Sequence, residues 1–282
     1  MKSTSDNPAP QPRVVRRHRL STRAWHWLNV AAVFTCLMSG LTIFNAHPHL
    51  YWGQYGANPD TPWLRIGATN DKQGFLRIGD FEIATTGVLG SWQKDGRTQT
   101  RAFPHWATLP SNYSLAAGRK WHFLGAWVLG IAGALYLVWS LLNRHLWHDV
   151  VPRRAELEPR HIWQDVKNHA RLRLPKGEAA ARYNVLQKLA YLSVLVVLLP
   201  LIVLTGLTMS PTMDAAWPWL LDLFGGRQSA RSIHFLAAFA LVLFILVHLA
   251  MVVLAGPVNE IRSMITGRFR LPSENGPPEK TP

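Results

Sequence analysis

The feature that most constrains this chain is a set of four long apolar runs separated by basic, polar stretches. From these runs we predict helices at residues 23–46, 119–142, 184–209 and 229–255. With a rise of about 1.5 Å per residue, each helix is long enough to cross a hydrocarbon core of about 30 Å. The bilayer core contains no water to bond the backbone N–H and C=O groups, so a spanning segment must form its backbone hydrogen bonds internally. The expected fold class is therefore all-α, a four-helix transmembrane bundle that forms a single domain over residues 1–282.

Lysine and arginine concentrate in the tail before the first run, in the loop at residues 143–183, and in the tail after the fourth run. An even number of spans places all three segments on one side, and the positive-inside rule makes that side cytoplasmic. Both termini are therefore expected in the cytoplasm. This topology accounts for the net charge of +14. We expect the lipid bilayer as the partner of the basic segments, and no nucleic acid.

The segment between the first two runs, residues 47–118, is then external. It has about 70 residues, which is long for a connection without structure of its own. Its stretch FLRIGDFEIATTGVLGSW alternates enough to predict a small β-hairpin. This insertion is expected to cap the bundle, to offer a docking surface to an external partner, or to do both.

Four of the 12 histidines fall inside the predicted spans or near their ends: His26, His122, His234 and His248. A polar side chain in hydrocarbon is costly and needs a partner. Haem iron is one such partner, because two imidazoles from different helices can ligate it axially. His234 and His248 are 14 residues apart, which is about 21 Å along a helix axis and nearly a whole number of turns. Both therefore lie on nearly the same face of the fourth helix.

The depth of each histidine predicts which of them form pairs. Because successive spans alternate in direction, His122 and His234 lie near the external side, whereas His26 and His248 lie near the cytoplasmic side. We therefore predict two haems stacked across the membrane, one held by each pair. Taken singly, a histidine at a helix end is more often an interfacial residue, so a haem-free membrane scaffold remains an alternative.

The only cysteine, Cys36, limits the cofactor chemistry. A single cysteine excludes an internal disulfide, a Cys-rich zinc site and an iron–sulfur cluster. No C-x-x-C-H motif occurs, so covalently attached haem is excluded as well, and any haem is expected to be held by non-covalent contacts and axial ligands. We also find no nucleophile–base pair, carboxylate pair or phosphate loop, which indicates an electron-transfer role rather than a catalytic one.

Four groups of segments carry a family resemblance, and together they cover all four spans: RLSTRAWHWLN with LMSGL, GRKWHFLGAW, RYNVLQKLAYL with LTGLTMSP, and SIHFLAAFALVLFILVHL with GPVNEIRSMITGRF. They resemble the bacterial di-haem cytochrome b subunits of formate dehydrogenases, nickel–iron hydrogenases and thiosulfate reductases. YWGQYG and FPHWATLP in the insertion look closest to the thiosulfate-reductase-like branch. The long insertion departs from the other two branches.

The resemblance implies a bacterial inner-membrane protein with bis-histidine haem b at both levels. It also implies a quinone site beside the cytoplasmic haem, where Asn184 matches the family's asparagine and Gln187 lies one turn further on. Asn184 could instead be only the N-cap of the third helix. The thiosulfate-reductase-like branch is often paired with a molybdopterin oxidoreductase outside the membrane.

Three functions are compatible with these observations. The leading hypothesis is an electron-transfer subunit that links the quinone pool to a periplasmic oxidoreductase. A second is a stand-alone cytochrome b that passes electrons from a small periplasmic reductant to quinone. The third is the haem-free scaffold, which would show no Soret absorption band.

Overall fold

The computed structural model describes residues 13–57, 59–144, 147, 151–171 and 184–271. Its α-helices are α1 Leu20–Phe44, α2 Leu115–Leu142, α3 Pro159–Ala170, α4 Val185–Leu192, α5 Leu199–Thr208, α6 Pro211–Ala216, α7 Pro218–Leu223, α8 Arg227–Ala255 and α9 Pro257–Thr266. Its strands are β1 Val14–Arg16, β2 His49–Leu50, β3 Leu64–Ala68, β4 Gly74–Ile78, β5 Phe81–Ala84, β6 Trp92–Lys94, β7 Arg97–Gln99 and β8 Arg268–Arg270.

Four helical stretches are long and apolar enough to cross a membrane, which confirms the four predicted spans: Leu20–Phe44, Leu115–Leu142, Val185–Thr208 and Arg227–Ala255. The second span begins four residues before the predicted boundary. Ser114 explains the difference, because its hydroxyl accepts a hydrogen bond from the backbone N–H of Ala117 at 3.3 Å. Such an N-cap extends a helix beyond its apolar run.

The third span is not a uniform α-helix. Wider π-helical turns at Ser193–Leu198 separate α4 from α5, and Pro200 is the second residue of α5. Proline has no N–H to donate to the carbonyl four residues earlier, so the regular ladder of hydrogen bonds is interrupted there. The helical pitch therefore changes just before the proline.

The insertion contains the predicted β-hairpin within a larger sheet. Strand β4 pairs antiparallel with β5 across a two-residue turn, in which Gly79 has a φ of +56°. Strands β2 and β3 extend this hairpin to four strands in the order β2-β3-β4-β5, and β6 and β7 form a second small sheet. The apolar core of the insertion contains Phe44, at the end of the first span, and the ring of Phe44 stacks on that of Phe235 with centroids 4.9 Å apart. The insertion therefore packs on the ends of the first and fourth spans.

The two tails of the chain pair with each other. Strand β1 is antiparallel to β8, and the guanidinium of Arg17 forms an ion pair with Glu260 at 2.8 Å. Arg17 also lies over the ring of Phe269, 4.5 Å from its centroid. An even number of spans requires the two tails to lie on the same side, and this pairing agrees with that requirement.

Contacts divide the chain into two compact units, which we name by their content. The insertion unit comprises residues 25–139 and 193–243, and it holds His26, His122 and His234. The tail unit comprises the described parts of residues 1–24, 140–192 and 244–282, and it holds His248, Asn184 and Gln187. A single domain over residues 1–282 stays a prediction.

Candidate metal centre between two histidines

The imidazole of His122, on the second span, is held by two groups of the first span. Its Nδ1 atom lies 3.0 Å from the carbonyl oxygen of Cys36 and 3.2 Å from the hydroxyl oxygen of Ser39. A carbonyl oxygen can only accept a hydrogen bond, so Nδ1 carries the proton. The Ser39 hydroxyl donates its own proton to the carbonyl of Thr35 at 2.5 Å, which leaves its oxygen to accept from the same N–H.

The imidazole of His234, on the fourth span, is held in the same way by the third span. Its Nδ1 atom lies 3.0 Å from the carbonyl oxygen of Ile202 and 3.0 Å from the hydroxyl oxygen of Thr205. The Thr205 hydroxyl donates to the carbonyl of Leu201 at 2.6 Å. Each ligand candidate is thus fixed in one tautomer by a carbonyl and a hydroxyl of the neighbouring helix.

This arrangement leaves the Nε2 lone pair of both imidazoles available to a metal. Histidines that bind metals usually donate their other N–H to a carbonyl or carboxylate, which fixes the ring and raises its basicity. The two ring centroids are 6.1 Å apart. With metal–nitrogen bonds of about 2 Å, two imidazoles on opposite sides of one metal ion have centroids about 6 Å apart. His122 and His234 would therefore be able to hold one haem iron between them.

Glycines leave space beside both rings. A Cβ atom at Gly40 would lie 3.4 Å from Cε1 of His122, and one at Gly206 would lie 3.5 Å from Cε1 of His234. Each glycine directly follows the hydroxyl residue that holds the same histidine, in the sequences MSGL and LTGL. Small residues at these positions allow a flat macrocycle to approach the imidazoles, so the surroundings fit a haem as well as the ligands do.

Ser39 and Thr205 hold the two candidate ligands, and sequence reasoning missed them. Both are completely buried, and each donates its hydroxyl proton to its own helix four residues back. The signal that could have found them was the repeated pattern of a hydroxyl residue followed by glycine in the first and third spans. Both spans run in the same direction, so the pattern places the same pair of residues beside each histidine.

Removal of these hydroxyls should change the haem potential without removing the haem. We expect Thr205→Val to raise the midpoint potential of one haem, because a weaker bond to Nδ1–H makes the imidazole a poorer donor to the oxidised iron. The carbonyl of Ile202 still accepts, so the redox equilibrium should change by about threefold. A redox titration followed at the haem absorption bands measures this shift. Thr208→Val is the control, since that hydroxyl bonds the carbonyl of Thr205 instead, and an equal shift in both variants would contradict the assignment.

The second predicted pair consists of His26 and His248. His26 is half-buried on the first span, and its ring meets that of Trp27 edge-on with centroids 5.2 Å apart. His248 is half-buried on the fourth span and stacks on the ring of Phe244 at 5.8 Å. The two residues belong to different units. Their pairing on a second haem stays a prediction.

Asn184 and Gln187 form a capping box at the start of the third span. The side-chain oxygen of Asn184 accepts from the backbone N–H of Gln187 at 2.9 Å, and the side-chain oxygen of Gln187 accepts from the backbone N–H of Asn184 at 3.2 Å. This reciprocal pattern confirms the interpretation of Asn184 as an N-cap. A contact of either side chain with quinone stays a prediction.

Comparison with known proteins identifies the family. A family model described as prokaryotic cytochrome b561 matches residues 17–267, which include all four spans. A protein of Azospira oryzae, provisionally named protein-methionine-sulfoxide reductase subunit YedZ1, is 30% identical over 232 residues, which is 82% of this chain and 87% of that protein. These matches confirm the resemblance to bacterial cytochromes b, and with it haem b binding and electron transport by an integral membrane protein. The chain belongs to the prokaryotic cytochrome b561 family.

Proposed function

We propose that this protein is a di-haem electron-transfer subunit that passes electrons between the quinone pool and a periplasmic oxidoreductase. The observation that carries the proposal is the His122–His234 pair, whose Nδ1 atoms are both anchored and whose centroids are 6.1 Å apart. The name of the Azospira relative describes a subunit of a reductase, which supports an oxidoreductase as the partner. The resemblance to thiosulfate-reductase-like cytochromes favours a molybdopterin enzyme in that role.

The proposed orientation places the insertion in the periplasm and both termini in the cytoplasm of a bacterial inner membrane. The basic residues of the paired tails support it, since Arg13, Arg16 and Arg17 adjoin Arg268 and Arg270 across the β1–β8 pair. Positive charge of this density is typical of cytoplasmic segments. The insertion, with a four-stranded sheet on the ends of two spans, would then face the periplasmic partner.

The protein's own residues would hold two haems at different depths. His122 and His234 would ligate one through Nε2, and His26 and His248 would ligate the other. The bound haem supplies one-electron redox chemistry at its iron. The fourth span is one continuous helix, Arg227–Ala255, that carries a ligand of each proposed pair 14 residues apart. Such a helix would keep the two ligands on nearly the same face.

A quinone site is proposed at the start of the third span. A quinone carbonyl accepts hydrogen bonds, and amide side chains such as those of Asn184 and Gln187 supply N–H donors. Both residues use their side-chain oxygen in the capping box. Their amide nitrogens are therefore the atoms that would donate hydrogen bonds to a quinone carbonyl. Lys188, the residue after Gln187, forms an ion pair with Glu156 at 2.8 Å. This ion pair fixes the start of the third span to the preceding loop.

Two substitutions separate the quinone role of Asn184 from its capping role. Serine is as good an N-cap as asparagine but has no amide, whereas leucine lacks both functions. We expect Asn184→Ser and Asn184→Leu alike to weaken quinol-driven haem reduction about tenfold, the effect of one lost hydrogen bond. Stopped-flow reduction by a quinol analogue measures this, with dithionite reduction as the control for intact haems. Normal quinol-driven haem reduction in Asn184→Ser would show that Asn184 only caps the helix.

The complete function has a direct test. The chain is purified in mild detergent, and its haem content, its reduction by quinol and its copurifying proteins are determined. The proposal predicts two haems b per chain and a copurifying periplasmic oxidoreductase. A preparation without a Soret band would favour the scaffold, and turnover with a small reductant without any partner would favour a stand-alone cytochrome.

A further inference from the structure

An arginine of the fourth span, Arg231, lies close in sequence to the candidate metal centre. Arg231 precedes His234 by three residues on the fourth span, which is less than one helical turn. Its guanidinium donates to the carbonyl oxygen of His47 at 2.6 Å and lies 5.8 Å from the ring centroid of Phe44. Among the described residues, no aspartate or glutamate forms an ion pair with it. A half-buried guanidinium needs an anionic partner to offset the loss of hydration.

Two imidazoles beside this arginine have nitrogen atoms in need of partners. The rings of His47 and His49 are 4.9 Å apart, and both stack on Tyr51. Nε2 of His47 and Nδ1 of His49 are buried and make no hydrogen bond to any residue that the structure describes. Buried polar atoms nearly always have a partner, so these two nitrogens indicate a group that the protein itself does not supply.

Both imidazoles are neutral at pH 7. Burial, and then the charge of Arg231, lowers the pKa of His47. Burial lowers the pKa of His49 to about 4, with further contributions from His47, Arg65 and Arg231. A neutral imidazole offers one N–H donor. The cluster therefore combines one fixed cation with two neutral side chains, which suits an anion and disfavours a metal cation.

We propose that Arg231, His47 and His49 form a carboxylate-binding site, and that the carboxylate is a propionate of the haem held by His122 and His234. This inference rests on the proposed function. A guanidinium is the side chain best matched to a carboxylate. The position of Arg231 favours a haem propionate over a free anion. Arg231 lies on the same helix as His234. Its guanidinium also lies over the ring of Phe44, which belongs to the helix whose Ser39 holds His122.

The test compares two arginines of the same helix. Arg231→Gln removes the proposed carboxylate partner, whereas Arg227→Gln removes a cation that already pairs with Asp214 at 2.6 Å. Loss of a cation beside a propionate disfavours the reduced haem, which carries one more negative charge. We expect Arg231→Gln to lower the midpoint potential of one haem by a tenfold change in the redox equilibrium, or about 59 mV. Arg227→Gln should leave both potentials unchanged.

Each outcome supports or overturns the proposal. Equal shifts in Arg231→Gln and Arg227→Gln, or no shift in either, would overturn it. So would a wild-type potential that depends on added acetate, because the anion would then be free in solution. If Arg231→Gln does not assemble, Arg231→Lys takes its place. It should give a smaller shift of the midpoint potential in the same direction, since lysine keeps the charge without the planar fork. An unchanged potential in Arg231→Lys would overturn the proposal. The proposed function fails separately, if the wild-type chain lacks the His122–His234 haem.

Discussion

Replacement of His234 by alanine should leave the protein with one haem per chain instead of two. Without His234, only His122 would hold this haem, since the Nδ1–H of that ring already donates to the carbonyl of Cys36. His122→Ala should have the same effect for the same reason. A pyridine haemochrome assay, normalised to protein concentration, measures the haem content, and a redox titration identifies which haem has been lost.

A matched control separates ligand loss from any effect of removing a histidine. His161 lies on α3 with 54% of its side chain exposed, 4.0 Å from Asp165, so His161→Ala should keep both haems. Two haems in His234→Ala, with unchanged potentials, would show that this residue is no ligand. His26→Ala and His248→Ala should each remove the other haem.

Double substitutions test the pairing itself. If His122 and His234 bind the same haem, their double variant should lose no more haem than either single variant. A variant that lacks His122 and His26 should lose both haems, because it removes one ligand from each proposed pair. His26 and His248, which would hold the second haem, fall in different units. The variant that lacks His122 and His26 therefore tests whether His26 belongs to a second pair, which sequence depth alone predicted.

The spans could be predicted, and the candidate histidines singled out, because hydrocarbon imposes strict conditions on a sequence. A run of apolar residues must be helical, and a histidine inside it must have a partner. Ser39 and Thr205 escaped prediction for a physical reason as well. A hydroxyl inside a helix normally bonds to the carbonyl four residues back, and both hydroxyls do so here. Their second role, as acceptors for a histidine N–H, depends on which helix lies opposite.

The insertion was predictable only in its local part. The hairpin of β4 and β5 requires just a two-residue turn between alternating strands. Strand β2 has two residues, and it pairs with β3 across a long connection, so nothing in its sequence distinguishes it from a loop. The buried contact of Asn45 with the backbone of Phe103 is likewise long-range. Such contacts follow from tertiary packing rather than from residue pattern.

The space beside the two imidazoles should be as essential as the imidazoles themselves. A leucine at Gly206 would begin with a Cβ atom 3.5 Å from Cε1 of His234, and its branched end would occupy the volume next to the ring. We expect Gly206→Leu to abolish binding of the His122–His234 haem, so that about one haem per chain remains. Gly40→Leu should act in the same way beside His122, where the corresponding distance is 3.4 Å. The haemochrome assay and the absorption spectrum measure the loss.

Gly130→Leu provides the matched control. Gly130 lies on the second span, and a Cβ atom there would meet nothing within 4 Å, so this variant should keep two haems. The comparison also excludes loss of folding as the explanation, because leucine in a helix interior is more stable than glycine by about 1 kcal/mol. Gly206→Leu should thus strengthen its helix while it loses the haem, which a simple loss of folding would not produce. Normal haem content in both Gly40→Leu and Gly206→Leu would mean that no macrocycle lies against these rings, and the assignment of the metal centre would have to be abandoned.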